Sequence, residues 1–133
     1  MSQNLQDLFM PSLSLAEIKE LNPIVLAFIG DGVHTLFVRD KVVKNCNMLV
    51  GSCHGHSAKE CNAKSQAIKL QQILPMLNED EQNIVRRARN AKTNNIAKNS
   101  DLETYKKATS FEALVGYLYL KGDFNRLEEI LKK

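Results

Sequence analysis

Residues 24–38 read Ile24-Val-Leu-Ala-Phe-Ile-Gly-Asp31-Gly-Val-His-Thr-Leu-Phe-Val38, an apolar run with an acid near its centre. A second run, Thr109-Ser-Phe-Glu112-Ala-Leu-Val-Gly-Tyr-Leu-Tyr-Leu120, repeats this arrangement. An ionised carboxylate among apolar neighbours is unfavourable by several kcal/mol unless something pairs with it. Neither run has Lys or Arg beside its acid, so the partner must be a distant base, a proton or a metal ion.

Both runs are predicted to be helices. The helical neighbours of Glu112 are apolar, which places this acid on the core-facing side. Gly30 and Gly32 flank Asp31 and indicate the close approach of another backbone or of a ligand. Two alternatives stay open, namely Asp31 as the N-cap of a helix that begins at Gly32 and Glu112 as a buried partner of a distant Arg or His.

The whole chain is predicted to be all-α, a helical bundle with no strand alternation. The boundaries follow from capping residues, prolines and glycines. We expect a short helix from a Ser14/Glu17 capping box to Asn22, then helices over 23–44, 58–74, 78–89 and 102–120, and a last helix capped by Asp123. Residues 45–57, with a short helix after Ser52 as an option, and residues 90–100 are predicted to be connections.

Length and composition favour one globular domain. The chain has 133 residues, 44% of them hydrophobic and 25% charged. We expect a single domain over residues 1–133, with 1–13 as a possible loose N-terminal segment. The N-terminus has no basic region before an apolar run, and residues 24–38 are too short to span a bilayer. A cytoplasmic location is therefore expected, with no membrane partner.

The three cysteines are compatible with a reducing compartment. Cys53, His54, His56 and Cys61 lie close together in sequence and raise the question of a zinc site. The paired Cys-x-x-Cys arms of structural zinc sites are absent from this pattern. Buried thiols and surface histidines are the simpler interpretation, and metal binding by this group stays open.

Positive charge is concentrated in one segment. The net charge is +3, while Ile84 to Lys107 carries seven bases and two acids and thus +5. A basic surface on an otherwise balanced protein predicts that a polyanion docks at one face. The alternative is a solvated helix and loop with scattered lysines.

At its two acids the chain resembles a ribonuclease III catalytic domain. Phe28-Ile-Gly-Asp31 is similar to the family signature Phe-Leu-Gly-Asp, and Phe111-Glu-Ala-Leu-Val-Gly116 to its second signature. The closer resemblance is to the Mini-ribonuclease III group, which has no appended double-stranded-RNA-binding domain. Ala63-Lys-Ser-Gln66, Arg89-Asn-Ala-Lys92 and Lys98-Asn-Ser-Asp101 add to it, so that the resemblance covers about residues 21–131.

The resemblance implies a Mg²⁺-dependent endoribonuclease that cleaves double-stranded RNA as a homodimer and leaves 5′-phosphate and 3′-hydroxyl ends. Asp31 and Glu112 would be the catalytic, metal-binding residues, and the resemblance implies that Mn²⁺ can substitute for Mg²⁺. Larger family members have two further acids at the positions of Ala27 and Thr109. The Mini group lacks these two acids, as this chain does. The implied substrate is a ribosomal RNA precursor, with 23S maturation as the task.

Other residues receive roles that follow from this reading. Leu36 and Phe37 are candidates for the dimer seam, and the alternative is that they close the core of the monomer itself. The RNA-docking candidates are basic or amide residues: Lys64, Arg86, Arg89, Asn90, Lys92 and Lys98. His34 is expected to be a core histidine rather than a partner of Asp31, and Asp101 a helix cap.

Two rival functions remain at this stage. One is a non-catalytic RNA-binding or ribosome-associated protein that retains the fold. The other is an all-helical nucleotide hydrolase. The second rival is disfavoured, because the apolar helix faces carry no cluster of several acids.

Overall fold

A computed structural model describes residues 4–10, 13–45, 50–92 and 101–132. These residues form seven α-helices and two short 3₁₀ segments, and no strand occurs among them, which confirms the predicted all-α class. The helices are α1 (Leu15–Glu20), α2 (Pro23–Asn45), α3 (Val50–Cys61), α4 (Ala63–Ile73), α5 (Glu79–Asn90), α6 (Leu102–Lys121) and α7 (Phe124–Lys132), and the 3₁₀ segments are Leu5–Phe9 and Leu74–Met76.

The predicted capping residues define most helix ends. Ser14 accepts a hydrogen bond from the Glu17 amide at 3.2 Å, and the Glu17 carboxylate accepts one from the Ser14 amide at 3.0 Å. Asn78 and Glu81 form the same box at the start of α5. Asp101 caps α6 through the Thr104 amide at 2.7 Å, which confirms the cap interpretation. Gly122 ends α6 with a left-handed φ of 78°.

The region before α4 corrects the sequence prediction. The connection predicted over 45–57 and the helix predicted over 58–74 are replaced by α3 and α4, which meet at Asn62. Asn62 caps α4 by accepting a hydrogen bond from the Ser65 amide at 2.8 Å. The glycines and serines of residues 51–57 have low helix propensity, but α3 packs against α2 and buries Ser57 there. Tertiary packing therefore overrides local preference. The predicted connection at 90–100 lies largely outside the described residues.

Helix α6 is the centre of the fold, and α2, α4 and α5 pack around it. Its fully buried apolar side chains explain this position, because each one is removed from water on folding. They are Phe111, Leu114, Val115, Tyr117 and Leu118. In the described parts of the chain, no helix combines the length and the apolar character that crossing a membrane requires.

One buried ion pair joins α5 to α7. Glu81 is 1% exposed, and its carboxylate accepts hydrogen bonds from Arg126 Nε at 2.8 Å and Nη2 at 2.7 Å. Arg126 Nη2 also donates to the Met76 carbonyl at 2.7 Å. Burial alone would favour the neutral acid, but the hydrogen bonds from Arg126 and from the Asn78 backbone lower the pKa of Glu81.

Candidate functional site

Two glycines bring α2 and α6 into backbone contact. A Cβ atom added to Gly30 would overlap the Glu112 carbonyl group and lie 2.8 Å from the Gly116 nitrogen. A Cβ atom added to Gly116 would likewise overlap the Leu26 carbonyl. The close approach expected at Gly30 is therefore present, whereas no protein atom lies close to Gly32, and at that position only the approach of a ligand stays a prediction.

This crossing places Asp31 beside Glu112. Asp31 follows Gly30 in the middle of α2, so the alternative of a helix N-cap at Asp31 is wrong. Asp31 is exposed and Glu112 is half-buried, and the two side chains form a hydrogen bond. The acids of the two apolar runs thus share one site.

The pair has an unusual charge balance. Burial, the hydrogen bond to Asp31 and the negative charge of Asp31 raise the pKa of Glu112 to about 9, while a hydrogen bond with Gln66 acts in the opposite direction. No basic side chain contributes to this shift among the residues that the structure describes. The alternative of Glu112 paired with a distant Arg or His is therefore not found there. Without a cation, Glu112 holds a proton at neutral pH.

The chemistry of the donor set fits a hard divalent cation. Mg²⁺ is commonly held by one or two carboxylates, with waters and substrate phosphates completing the shell. Ala27 and Thr109, which lie near Asp31 and Glu112 on the same two helices, are buried and carry no carboxylate, so Asp31 and Glu112 supply the carboxylates. A bound cation would also replace the proton that Glu112 holds.

His34 and Gln66 lie behind Glu112. Both are buried, and Gln66 Nε2 is 3.2 Å from His34 Nδ1. The His34 ring meets the Phe111 ring edge-on, with 5.1 Å between centroids. Burial lowers the pKa of His34, so the ring is neutral at physiological pH. The structure agrees with the interpretation of His34 as a satisfied core histidine. It also brings in Gln66, whose role sequence reasoning missed.

The Cys53, His54, His56 and Cys61 group lies along α3. Within the described parts of the chain, no three or more His, Cys, Asp or Glu side chains come together as a metal-binding group. Burial raises the pKa of the Cys61 thiol, which also hydrogen-bonds to Thr35 on α2. This cysteine therefore joins α3 to α2.

The RNA-docking candidates separate into different places. Arg86, Asn90 and Lys92 line one cleft of about 590 Å³ together with Arg87 and the loop before α2. Arg89 instead pairs with Glu103 at 2.6 Å. Lys64 is exposed in the first turn of α4. Lys98 lies outside the described residues.

Arg87 has a different role from its neighbours. Its guanidinium donates to the carbonyl of Lys19 at 2.9 Å and to that of Leu21 at 3.2 Å. These carbonyls lie at the end of α1, so Arg87 connects α5 to that helix. A single sequence cannot separate Arg87 from adjacent Arg86, because both belong to the same basic run.

An apolar stripe on α2 is exposed. Val25, Phe28, Leu36 and Val43 share this face by helical spacing, and Phe28 is 83% exposed. Leu36 is therefore exposed, and its place in a dimer seam stays a prediction. The expectation for Phe37 is wrong in this respect, since Phe37 is partly buried and packs against the core.

Comparison with known proteins places these features in a family. Residues 24–123 match the Ribonuclease III domain. The chain is 46% identical over 115 residues to the Mini-ribonuclease 3 of Thermoanaerobacter sp. (strain X514), covering 86% of this chain and 81% of the relative. It is 40% identical to the Mini-ribonuclease 3 of Staphylococcus aureus (strain NCTC 8325 / PS 47), covering 87% and 88%.

A solved structure agrees with the fold. A crystal structure of a Fusobacterium nucleatum protein superposes with a TM-score of 0.80 at 27% identity, covering 87% of this chain and 93% of that one. The helical arrangement described above is therefore similar to one already observed by crystallography.

Proposed function

This chain belongs to the ribonuclease III family, and we propose that it is a Mg²⁺-dependent enzyme in which Asp31 and Glu112 hold the metal ion. The family consists of endoribonucleases that act on double-stranded RNA and generally use a divalent metal, and this chain is such an endoribonuclease. We further propose a ribosomal RNA precursor as its substrate, with 23S end maturation as the task and the cytoplasm as its location.

One observation carries the metal proposal: two carboxylates share a site, and no base among the residues that the structure describes pairs with them. Asp31 and Glu112 are hydrogen-bonded to each other, and the pKa of Glu112 is raised to about 9. Like-charged carboxylates held together are unfavourable when both are ionised. A divalent cation bound between them offsets this repulsion and stabilises both carboxylates in their ionised form.

The residues divide the catalytic work between them. When bound, Mg²⁺ supplies charge stabilisation at the phosphate and lowers the pKa of a coordinated water. Asp31 is exposed, and its carboxylate is accessible to an RNA phosphate at the surface. Glu112 is half-buried and hydrogen-bonded to Gln66, so its carboxylate is held against the protein. Proposed products are a 5′-phosphate and a 3′-hydroxyl end.

The cleft of Arg86, Asn90 and Lys92 is our candidate for RNA docking. It lies next to Pro23, the first residue of α2. Asp31 is eight residues along the same helix, or about 12 Å at 1.5 Å per residue. A-form RNA is contacted mainly through phosphates and 2′-hydroxyls, for which Arg, Lys and Asn are suitable donors. Binding should weaken steeply with added salt.

We also propose a homodimer that uses the exposed α2 stripe. Val25, Phe28, Leu36 and Val43 are exposed on one face of α2, which also carries exposed Arg39 and borders Asp31 by helical position. An exposed apolar face of this kind is typical of an interaction surface. Phe28→Glu should convert the dimer to a monomer in sedimentation measurements, while Leu102→Glu, a change at another exposed leucine, should not.

The deciding experiment is cleavage of a long RNA duplex in Mg²⁺ by the parent, Asp31→Asn and Glu112→Gln. We expect both variants to bind duplex RNA but to lose cleavage by about 100-fold or more, because metal stabilisation of the transition state amounts to several kcal/mol. Asp40→Asn, a change at an exposed acid on the same helix, is the matched control and should cut like the parent. A pure parent that binds duplex RNA but cuts in neither Mg²⁺ nor Mn²⁺ would favour the non-catalytic rival.

A further inference from the structure

Gln66 is an uncharged polar side chain at the point where α2, α4 and α6 meet. It is 3% exposed, and its amide contacts both His34 Nδ1, at 3.2 Å, and the Glu112 carboxyl group. A polar group in a core is unfavourable unless it is hydrogen-bonded, and these two contacts satisfy that requirement. They also connect a core histidine to a candidate metal ligand.

The chemistry of the three groups fixes the orientation of the amide. An amide nitrogen only donates, so His34 Nδ1 must be the nitrogen without a proton, and His34 carries its proton on Nε2. An ionised Glu112 carboxylate only accepts, so it also needs the amide nitrogen. The two N–H groups of Gln66 therefore serve His34 and Glu112. A flipped amide would point its oxygen at a carboxylate.

His34 is itself held firmly, which makes it a suitable anchor. It is buried on α2, about one helical turn after Asp31, and its ring lies edge-on against Phe111, the residue before Glu112. The contacts thus lead from His34 on α2, the helix of Asp31, through Gln66 on α4 to Glu112 on α6.

We propose that Gln66 is a positioning residue which, oriented by His34, donates a hydrogen bond to Glu112 and holds its carboxylate in the metal-binding orientation. This inference rests on the proposed function of the Asp31–Glu112 pair. A neutral donor is well suited to the task, because it stabilises the ionised ligand without cancelling the negative charge that attracts the cation. An Arg or Lys at position 66 would compete with the metal ion.

The test is Mn²⁺ binding without RNA, measured by calorimetry on the folded protein. Gln66→Met keeps a long, unbranched side chain of similar size and removes both donors. We expect its Kd for Mn²⁺ to rise about 10-fold or more, in line with the 10–100-fold effects of residues that orient metal ligands. Gln72→Met, at an exposed position of the same helix, is the matched control and should bind like the parent.

A second readout separates positioning from simple packing. In duplex cleavage, Gln66→Met should need a higher Mg²⁺ concentration for half-maximal rate and regain much of its rate at saturating Mg²⁺. A residue that only packs would lower the melting temperature and leave the Kd for Mn²⁺ at the parent value. That result would overturn the inference.

His34→Phe provides a variant that leaves Gln66 in place, and it is used if Gln66→Met does not fold. It removes the acceptor and keeps an aromatic ring, so we expect the Kd for Mn²⁺ to rise by about threefold or more, within the lower part of the range for such indirect contacts. An unchanged Kd in this variant would also overturn the inference.

Asp31→Asn distinguishes the two proposals. If it abolishes Mn²⁺ binding while Gln66→Met binds like the parent, the metal site stands and only the role of Gln66 is overturned. If Asp31→Asn binds Mn²⁺ like the parent, the proposed metal site is itself wrong, and the inference fails with it.

Discussion

Glu81 and Glu112 are two acids placed in the same helical core with opposite outcomes. Glu81 receives two hydrogen bonds from Arg126, at 2.8 and 2.7 Å, and its pKa is lowered. Glu112 lies beside Asp31, and its pKa is raised to about 9. One acid is ionised and paired with a base of the same chain, and the other stays protonated beside a second acid because no base among the described residues pairs with it.

The difference shows how a structural acid can be separated from a functional one. This fold can bring a guanidinium from α7 to an acid on α5 across 45 positions of sequence. A buried charge without such a partner is expensive. Glu112 instead contacts a second acid, Asp31, and a neutral amide, Gln66, so that no positive side chain occupies the place where a cation would bind.

The largest effect should come from removing the base at the structural pair. Arg126→Met leaves Glu81 buried without its partner, so we expect the free energy of unfolding to fall by about 3–5 kcal/mol. Urea denaturation at neutral pH and fixed protein concentration measures this loss. The double variant Glu81→Leu/Arg126→Met should recover a large part of the stability. A loss below about 1 kcal/mol for Arg126→Met, typical of a surface ion pair, would remove the contrast between the two acids.

A second change tests what holds the Glu112 site together in place of an ion pair. Gly30→Ala puts a methyl group against the Glu112 carbonyl and should destabilise the protein by about 1–3 kcal/mol, or more if the helices cannot separate. Gly55→Ala, at an exposed position of α3 with nothing within 4 Å, should instead be stabilising by about 0.5–1 kcal/mol. Thermal unfolding of both variants gives the comparison. Equal effects would mean that the backbone contact does not matter.

The functional acid should limit stability, in contrast to the structural one. At pH 8 the parent must protonate Glu112 on folding, because the folded pKa is about 9 and the unfolded one is about 4.5, and Glu112→Gln does not have this cost. We therefore expect the metal-free variant to gain about 0.5–2 kcal/mol, the usual size of a single stabilising change. The gain should shrink when Mg²⁺ is added, because the cation stabilises only the parent site. A loss of stability at pH 8 without metal would show that Glu112 serves the fold.

The two acids should also differ in the sign of their contribution to the pH dependence of stability. The folded pKa of Glu112, about 9, lies above its unfolded value, so its contribution is fully present below about pH 4.5 and declines as pH rises towards 9. The folded pKa of Glu81 is lowered, so its contribution is present above its unfolded value and is lost as acid protonates it. Denaturation of the metal-free parent and of Glu112→Gln between pH 5 and 9 measures the first slope. An equal slope in both proteins contradicts this assignment.

The sequence predicted much of this arrangement because its signals are local. The caps at Ser14, Asn78 and Asp101 need only three or four neighbouring residues, and each one is found in the structure. The apolar spacing around Asp31 and Glu112 likewise indicated two helices, and it placed Glu112 on the core-facing side of its helix. Gly30 indicated a close approach of another backbone or of a ligand, but the helix that makes this approach, α6, is seen only in the structure.

The remaining features depend on contacts that local patterns do not encode. Arg126 meets Glu81 from 45 positions away, and α3 forms through packing although its glycines and serines disfavour a helix. Gln66 did carry a usable signal, because it shares the buried face of α4 with Leu70 and Ile73. A polar residue on an apolar face must find partners, but its partners become visible only when α2 and α6 are in place.

The glycine contact between α2 and α6 also has a consequence for protein engineering. Gly30 is adjacent to Asp31, and Gly116 lies one turn after Glu112, so the residues that permit the close crossing are inseparable from the acids that it brings together. The spacing of the carboxylates is therefore set by main-chain atoms, which cannot adjust by changing a rotamer. A designer who transfers this pair to another helical scaffold has to transfer both glycines with it.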